Sequence, residues 1–170
     1  RGEVPTIIDQ GIVVSESMAI IQYLNETYGD GKLMPKDKKL KAIALTRMSQ
    51  YLSNLDSNQK LYSYIFQLAI FSEIVLKGRF LKVPKKDIKK DSEELFHELS
   101  YWDFYAEKSI WLAEEFSLAD ILLYPVISEC VHMGLDVDLK YPHLGRWFRN
   151  FKKRNSSKET WPDWMGGQLL

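Results

Sequence analysis

Residues 4–24, VPTIIDQGIVVSESMAIIQYL, constrain this chain more than any other stretch, because two β-branched runs, a turn and an apolar helix follow one another with almost nothing between them. Val4 to Ile8 and Gly11 to Val14 are expected to be strands joined through Asp9-Gln10-Gly11, with the glycine free to take a positive φ. A helix is expected to start at Ser15-Glu16-Ser17. Met18, Ile21 and Leu24 then fall on one face, flanked by Ala19, Ile20 and Tyr23. A hydroxyl and a carboxylate beside a helix N-terminus can hold a zwitterion: serine and the helix N–H groups take its carboxylate, and glutamate takes its ammonium. Pro5 gives no N–H to a ladder, which leaves Val4 able to offer its own backbone groups to a ligand. An ordinary hairpin followed by a serine-capped helix fits the same residues equally well.

A second local signal stands far from the first. In Phe116-Ser117-Leu118-Ala119-Asp120-Ile121, Ser117 is placed to cap a helix by accepting from the N–H of Asp120, whose carboxylate reaches back. Phe116 and Ile121 occupy the staple positions. Such a box specifies a helix start and carries no chemistry, so Ser117 and Asp120 are read as structural.

Between these motifs the chain has one joint. Tyr28 to Pro35 contains Gly29, Gly31 and Pro35, and the pattern from Asp37 onward is helical. Leu45, Met48, Leu52 and Leu55 recur at helical spacing within residues 41–55, residues 61–76 continue the pattern, and helices are also expected over 93–107, from Ser117 and over 144–153. The lysine-rich stretch around Pro84 reads as a linker. Two units follow: an α/β piece over residues 1–35 and an all-helical one over 36–170.

With 170 residues, 45% of them hydrophobic, the chain can bury a real core. It has one cysteine and neither a run of about 20 apolar residues nor a signal-peptide pattern, so a soluble protein of a reducing compartment is expected and no membrane partner. Cys130, among Val126, Ile127 and Val131, reads as a buried structural thiol. His97, His132 and His143 have no ligand spacing with acids or cysteines, and no metal site is expected. The 23 basic and 23 acidic residues balance, and Asp87, Asp91, Glu93 and Glu94 interrupt the later lysine clusters, which argues against a nucleic-acid surface.

Val4-Pro5-Thr6 followed by Glu16-Ser17-x-Ala19-Ile20 resembles the second half of the thioredoxin-like domain of cytosolic glutathione transferases. Trp111-Leu112-Ala113 before the capping box resembles the approach to that family's buried central helix. The tail, with Tyr141-Pro142-His143-Leu144, Trp147-Phe148 and Trp161-Pro162-Asp163-Trp164, resembles the rho class of fishes and invertebrates. The resemblance spans essentially the whole chain. It implies a partial thioredoxin-like α/β unit followed by an all-helical domain, and a cis bond at Pro5. Val4, Pro5, Glu16 and Ser17 would then bind glutathione: Val4 through its backbone to the cysteinyl part, Glu16 and Ser17 at the γ-glutamyl end.

By the same resemblance, an acid at Glu3 replaces the commoner Lys or Gln near the glycine end of the ligand. Aromatics after the joint, among them Tyr51, Tyr62, Tyr64 and Phe66, are candidates to line a pocket for the hydrophobic electrophile, or else simply core. Trp161 and Trp164 either fold back toward that pocket or anchor the tail. The implied function is conjugation of glutathione to hydrophobic electrophiles, that is, detoxification by a cytoplasmic homodimer. The activating hydroxyl or thiol is expected upstream of Arg1, in a segment this chain lacks, so no residue here is assigned as catalytic. A non-catalytic structural or regulatory module of the same fold is the alternative, and an omega-type thiol oxidoreductase, needing an upstream cysteine, is a third reading.

Overall fold

The structure is a computed structural model and describes residues 2, 4–56, 85–132 and 135–161, the side chains of 56 and 85–92 excepted. Strands β1 (Thr6–Asp9) and β2 (Ile12–Ser15) pair antiparallel with Thr6 opposite Ser15 and Asp9 opposite Ile12. Gln10 and Gly11 form the two-residue loop, with φ of 48° and 84°, the backbone hand that matches strand twist. This tight loop explains why the strands lie one to two residues later than the sequence pattern placed them.

Helix α1 (Ser17–Tyr28) follows directly. Ile20 and Asn25 are its buried residues, Met18 and Ile21 pack against the core, and Leu24 is exposed, contrary to its expected inward position. The reason lies in Asn25: its Oδ1 accepts from the Leu33 N–H at 2.9 Å and its carbonyl accepts from the N–H groups of Gly29 and Gly31. The helix is turned to bring this amide inward, where it organises the joint. Gly29 is needed for close approach, since a Cβ there would lie 2.8 Å from the Asn25 carbonyl oxygen.

Helix α2 (Lys38–Gln50) starts at Asp37, whose side chain accepts from the N–H groups of Lys39 and Leu40, and runs on as a π-helix over Tyr51–Asp56. Its buried row is Ala44, Met48, Tyr51 and Leu55; Leu45, expected inside, is exposed. Alanine and tyrosine sit on the inward stripe while a leucine sits off it, so apolar spacing alone picked a face slightly rotated from the true one. The expected helix over 61–76 lies outside the described residues.

Helix α3 (Lys85–Tyr105) begins eight residues before the expected start and absorbs most of the lysine-rich stretch. Lysine is a good helix former, and residues 85–92 contain no glycine or proline to stop a helix. Then come α4 (Leu118–His132), a short α5 (Val137–Lys140), α6 (Pro142–Lys152) and α7 (Asn155–Glu159). The short α5 and α7 were not foreseen, because four or five residues carry too little periodicity to register.

One hydrophobic core joins these elements, built around Trp102, Leu99, Leu118, Leu123, Ile127, Leu144, Trp147 and Met48. Leu33 and Met34 from the joint pack on the same core, and the Leu118 N–H donates to the Leu33 carbonyl at 2.9 Å. The α/β piece is therefore fastened to the N-terminus of α4. Tyr124 stacks on Phe151 with ring centroids 3.9 Å apart, and its hydroxyl accepts from Ser157 Oγ, which ties α4, α6 and α7 together. Cys130 is buried, and burial pushes its thiol up to about 12, which makes it the inert structural thiol expected.

The capping box forms with one change of direction. Asp120 Oδ2 accepts from the Ser117 N–H at 2.9 Å as expected, but Ser117 Oγ donates to the same carboxylate instead of accepting from the Asp120 N–H. The other oxygen, Oδ1, accepts from the Leu112 N–H and from Trp147 Nε1 at 2.8 Å. Burial raises the Asp120 pKa, and these four hydrogen bonds to the carboxylate oppose the rise.

Two further helix ends are completed from a distance. Asp103 of α3 accepts from the N–H groups of His143 and Leu144, both at 2.8 Å, and so caps α6, whose own preceding residue Tyr141 supplies no side-chain bond. Arg146 donates to the carbonyls of Ala106, Glu107 and Ser109, satisfying acceptors beyond the end of α3.

Replacing Asp120 with alanine leaves buried N–H donors of Leu112, Ser117 and Trp147 without acceptors, at a cost we predict to be about 3 kcal/mol or more. Asp103→Ala removes only a cap, and about 1–2 kcal/mol is expected. Urea unfolding of both variants checks the order; equal losses would mean that Asp120 acts as a cap alone. Gly145→Ala should also destabilise, since its Cβ would fall 2.3 Å from Asp138 Oδ1 and 2.9 Å from Asp138 Cα.

Candidate functional site

The hairpin register builds the candidate site. Thr6 and Ser15 are the last paired residues at one end of the hairpin, so Val4-Pro5, which precede β1, and Glu16-Ser17, which follow β2, adjoin that same end. The Val4–Pro5 bond is cis, as the family resemblance implied. Val4 is 92% exposed, and Pro5, Glu16 and Ser17 are also exposed. All four residues are exposed and adjoin the Thr6–Ser15 end of the hairpin.

Glu16 is the half-in residue at the start of α1, with φ 71° and ψ 121°, a backbone conformation that non-glycine residues rarely adopt. Its carbonyl accepts the first helical bond, from the Ile20 N–H at 2.9 Å, while no side chain caps the helix. Ser17 is therefore the first helical residue, not its cap. Glu16 and Ser17 are exposed and the first turn has no side-chain cap, which leaves a natural seat for a carboxylate. The Glu16 side chain, free of capping duty, can meet an ammonium.

The far end of the hairpin is held by a carboxylate that sequence reasoning left as turn material. Asp9 accepts from the hydroxyls of Tyr23, at 2.8 Å, and of Tyr28. Ile7 and Val14 turn their half-buried sides toward α1, consistent with the period of two along each strand. The sheet is thereby pinned on the helix at one end, which leaves the other end presented at a fixed angle. Only the pairing in space reveals this; spacings of 14 and 19 residues carry no pattern.

Tyr51 is 8% exposed and belongs to the hydrophobic core. Glu3, Tyr62, Tyr64, Phe66 and Trp164 lie outside the described residues. Trp161 is half-buried, with its Nε1 enclosed and unpartnered among the described residues. No group of three or more metal-binding side chains lies together among the described residues, and no described helix is long and apolar enough to cross a membrane.

Hydrogen bonds from Tyr28 and then Tyr23 hold the Asp9 carboxyl below its ordinary value of 3.8. A depressed folded-state pKa contributes stability that is complete above the ordinary value and is lost as pH falls through the lower one. Asp9→Asn should therefore lower the melting temperature at pH 7, and the gap from the native chain should narrow below about pH 3.8. A gap that persists unchanged in acid would show that the ionised carboxylate is not what pins the hairpin.

Comparison with known proteins gives this geometry a family. The family model described as glutathione S-transferase, C-terminal domain, matches residues 66–155, more than half of the chain. Among curated relatives, glutathione S-transferase A of Pleuronectes platessa is 28% identical over 172 residues, covering 95% of this chain and 69% of its own length. Glutathione S-transferase D6 of Drosophila melanogaster is 27% identical and covers 88% of this chain and 64% of its own; the chain thus spans about two thirds of these relatives. A solved glutathione S-transferase of Methylobacillus flagellatus with glutathione bound superposes with a TM-score of 0.68 at 26% identity, over 95% of this chain and 76% of that one. Glutathione S-transferase 1-6 of Anopheles dirus species B gives 0.68 at 25% identity, over 92% of this chain and 69% of that one. The chain belongs to the glutathione S-transferase family.

Proposed function

We propose that this chain carries the γ-glutamyl side of a site that conjugates reduced glutathione to hydrophobic electrophiles. The observation that carries this reading is that the exposed Val4-Pro5 pair and Glu16, with its positive φ at the uncapped start of α1, both adjoin the Thr6–Ser15 end of the hairpin. Glu16 takes the ligand's ammonium, Ser17 and the helix N–H groups take its α-carboxylate, and the Val4 backbone pairs with the cysteinyl residue. Pro5 shapes the chain that presents Val4. Holding the tripeptide at several points positions its sulfur, whose thiolate attacks the electrophile; a thiol is a poor nucleophile until its pKa is lowered. No residue of this chain is assigned that activating role.

Residues 1–35 are read as the C-terminal half of the thioredoxin-like domain and residues 36–170 as the helical domain. The electrophile is read as lying beside the helices after the joint, with Tyr62 as a candidate contact, Tyr51 being a core residue. Assembly as a homodimer, cytoplasmic location and a detoxifying role are carried over from the family. Within it we favour the rho class, on the sequence of the tail from Tyr141 to Trp164.

Titration calorimetry with glutathione tests the site. Ser17→Ala should weaken binding by about tenfold, the loss of one or two charge-assisted hydrogen bonds, with an unchanged melting temperature. Wild-type affinity in this variant would remove Ser17 from the site. Equal destabilisation by Ser17→Ala and Asp120→Ala would overturn the division between binding and structural serine-acid pairs.

A further inference from the structure

A second concave site lies between helices α2 and α3 and the loop that follows α3. It is a cavity of about 230 Å³ lined by Ile43, Arg47, Phe104, Tyr105, Trp111 and Leu112, with Lys108, Ser109 and Glu114 completing the rim. None of these residues belongs to the glutathione-binding set.

Arg47 is the centre of this cavity. Its guanidinium lies over the Tyr105 ring at 3.4 Å from the centroid, and its Nη1 donates to Gln50 Oε1 at 2.8 Å. Gln50 Nε2 in turn donates to the Tyr105 hydroxyl at 3.0 Å. The three side chains close a ring that fixes the cation in place. Yet among the described residues no carboxylate pairs with it, and its Nε is enclosed without an acceptor. Burial is the chief influence on its pKa and draws it down, with only the Tyr105 phenol acting the other way. A half-buried, pre-oriented guanidinium with no counter-ion among the described residues is a planar fork that matches a carboxylate.

The surroundings specify what else the ligand carries. Phe104, Trp111, Ile43 and Leu112 give apolar and aromatic walls, and Lys108 adds a second cation at the rim. Glu114 is the one acid among the described lining residues and opposes an anion from the rim. The carbonyls of Ala106, Glu107 and Ser109, which would also repel an anion, are already taken by Arg146. Cavities of about 150 Å³ accept benzene, so this one has room for a single substituted ring.

We propose that this cavity is a binding site for a single-ring aromatic carboxylate, the carboxylate on Arg47 and the ring between Phe104 and Trp111, separate from the glutathione site. The probe is benzoate, titrated by calorimetry into the native chain, with neutral benzamide as its isostere. Benzoate should bind about tenfold or more tightly than benzamide, as expected for a charge-assisted pair. Arg47→Met, which keeps the stem and removes the fork, should lose this preference, and saturating glutathione should leave benzoate affinity unchanged. Equal affinity for benzoate and benzamide in the native chain would overturn the proposal without recourse to any variant. So would displacement of benzoate by glutathione, or undiminished benzoate binding to a folded Arg47→Met chain. Ser17→Ala, which acts at the other site, should not alter benzoate binding.

Discussion

The buried carboxylate of Asp120 is the interaction on which the rest of the structure depends. It gathers the start of α4, the loop at Leu112 and the indole of Trp147 on α6 around two oxygen atoms. An ion so placed is costly to bury, and only complete hydrogen bonding makes it tolerable. Its effect is positional: α4 cannot shift along its axis without breaking bonds to two other segments. The aromatic layer of Tyr124, Trp147 and Phe151 then packs on a helix whose register is already set.

From that fixed helix the order passes outward to the candidate site. The Leu118 N–H holds the Leu33 carbonyl, the Leu33 N–H is held by Asn25, and Asn25 belongs to α1, whose first turn carries Glu16 and Ser17. Asp9 and its two tyrosines lock the hairpin on the same helix. The exposed groups at the start of α1 therefore need little support of their own, because a chain of backbone and amide hydrogen bonds ties them to the core. The candidate surface is open, and its position is set by the helical domain.

Much of this was legible in the residues. The hairpin and its turn announced themselves because β-branched runs around Gln10-Gly11 leave few other options, and the capping box because Ser-x-x-Asp before an apolar run has a local physical meaning. The inward faces of α1 and α2 were less legible. Leu24 and Leu45 are apolar yet exposed, while Asn25 faces inward for its amide and Ala44 for its small size. The charge-dense opening of α3 concealed a helix, since lysine clusters read as solvent-facing loop and helix alike.

The sequence by itself determined local choices: which segments turn, where α4 starts, and which serine and glutamate flank the start of α1. These depend on contacts within four or five positions, where backbone sterics and capping leave little freedom. Only the tertiary structure decided the long-range partnerships: Asp103 capping α6, Arg146 closing the end of α3, Trp147 completing Asp120, and Arg47 held on Tyr105. Such pairs span 27 to 58 residues, and a polar side chain's partner at that distance is chosen by which buried donors and acceptors packing leaves unmet.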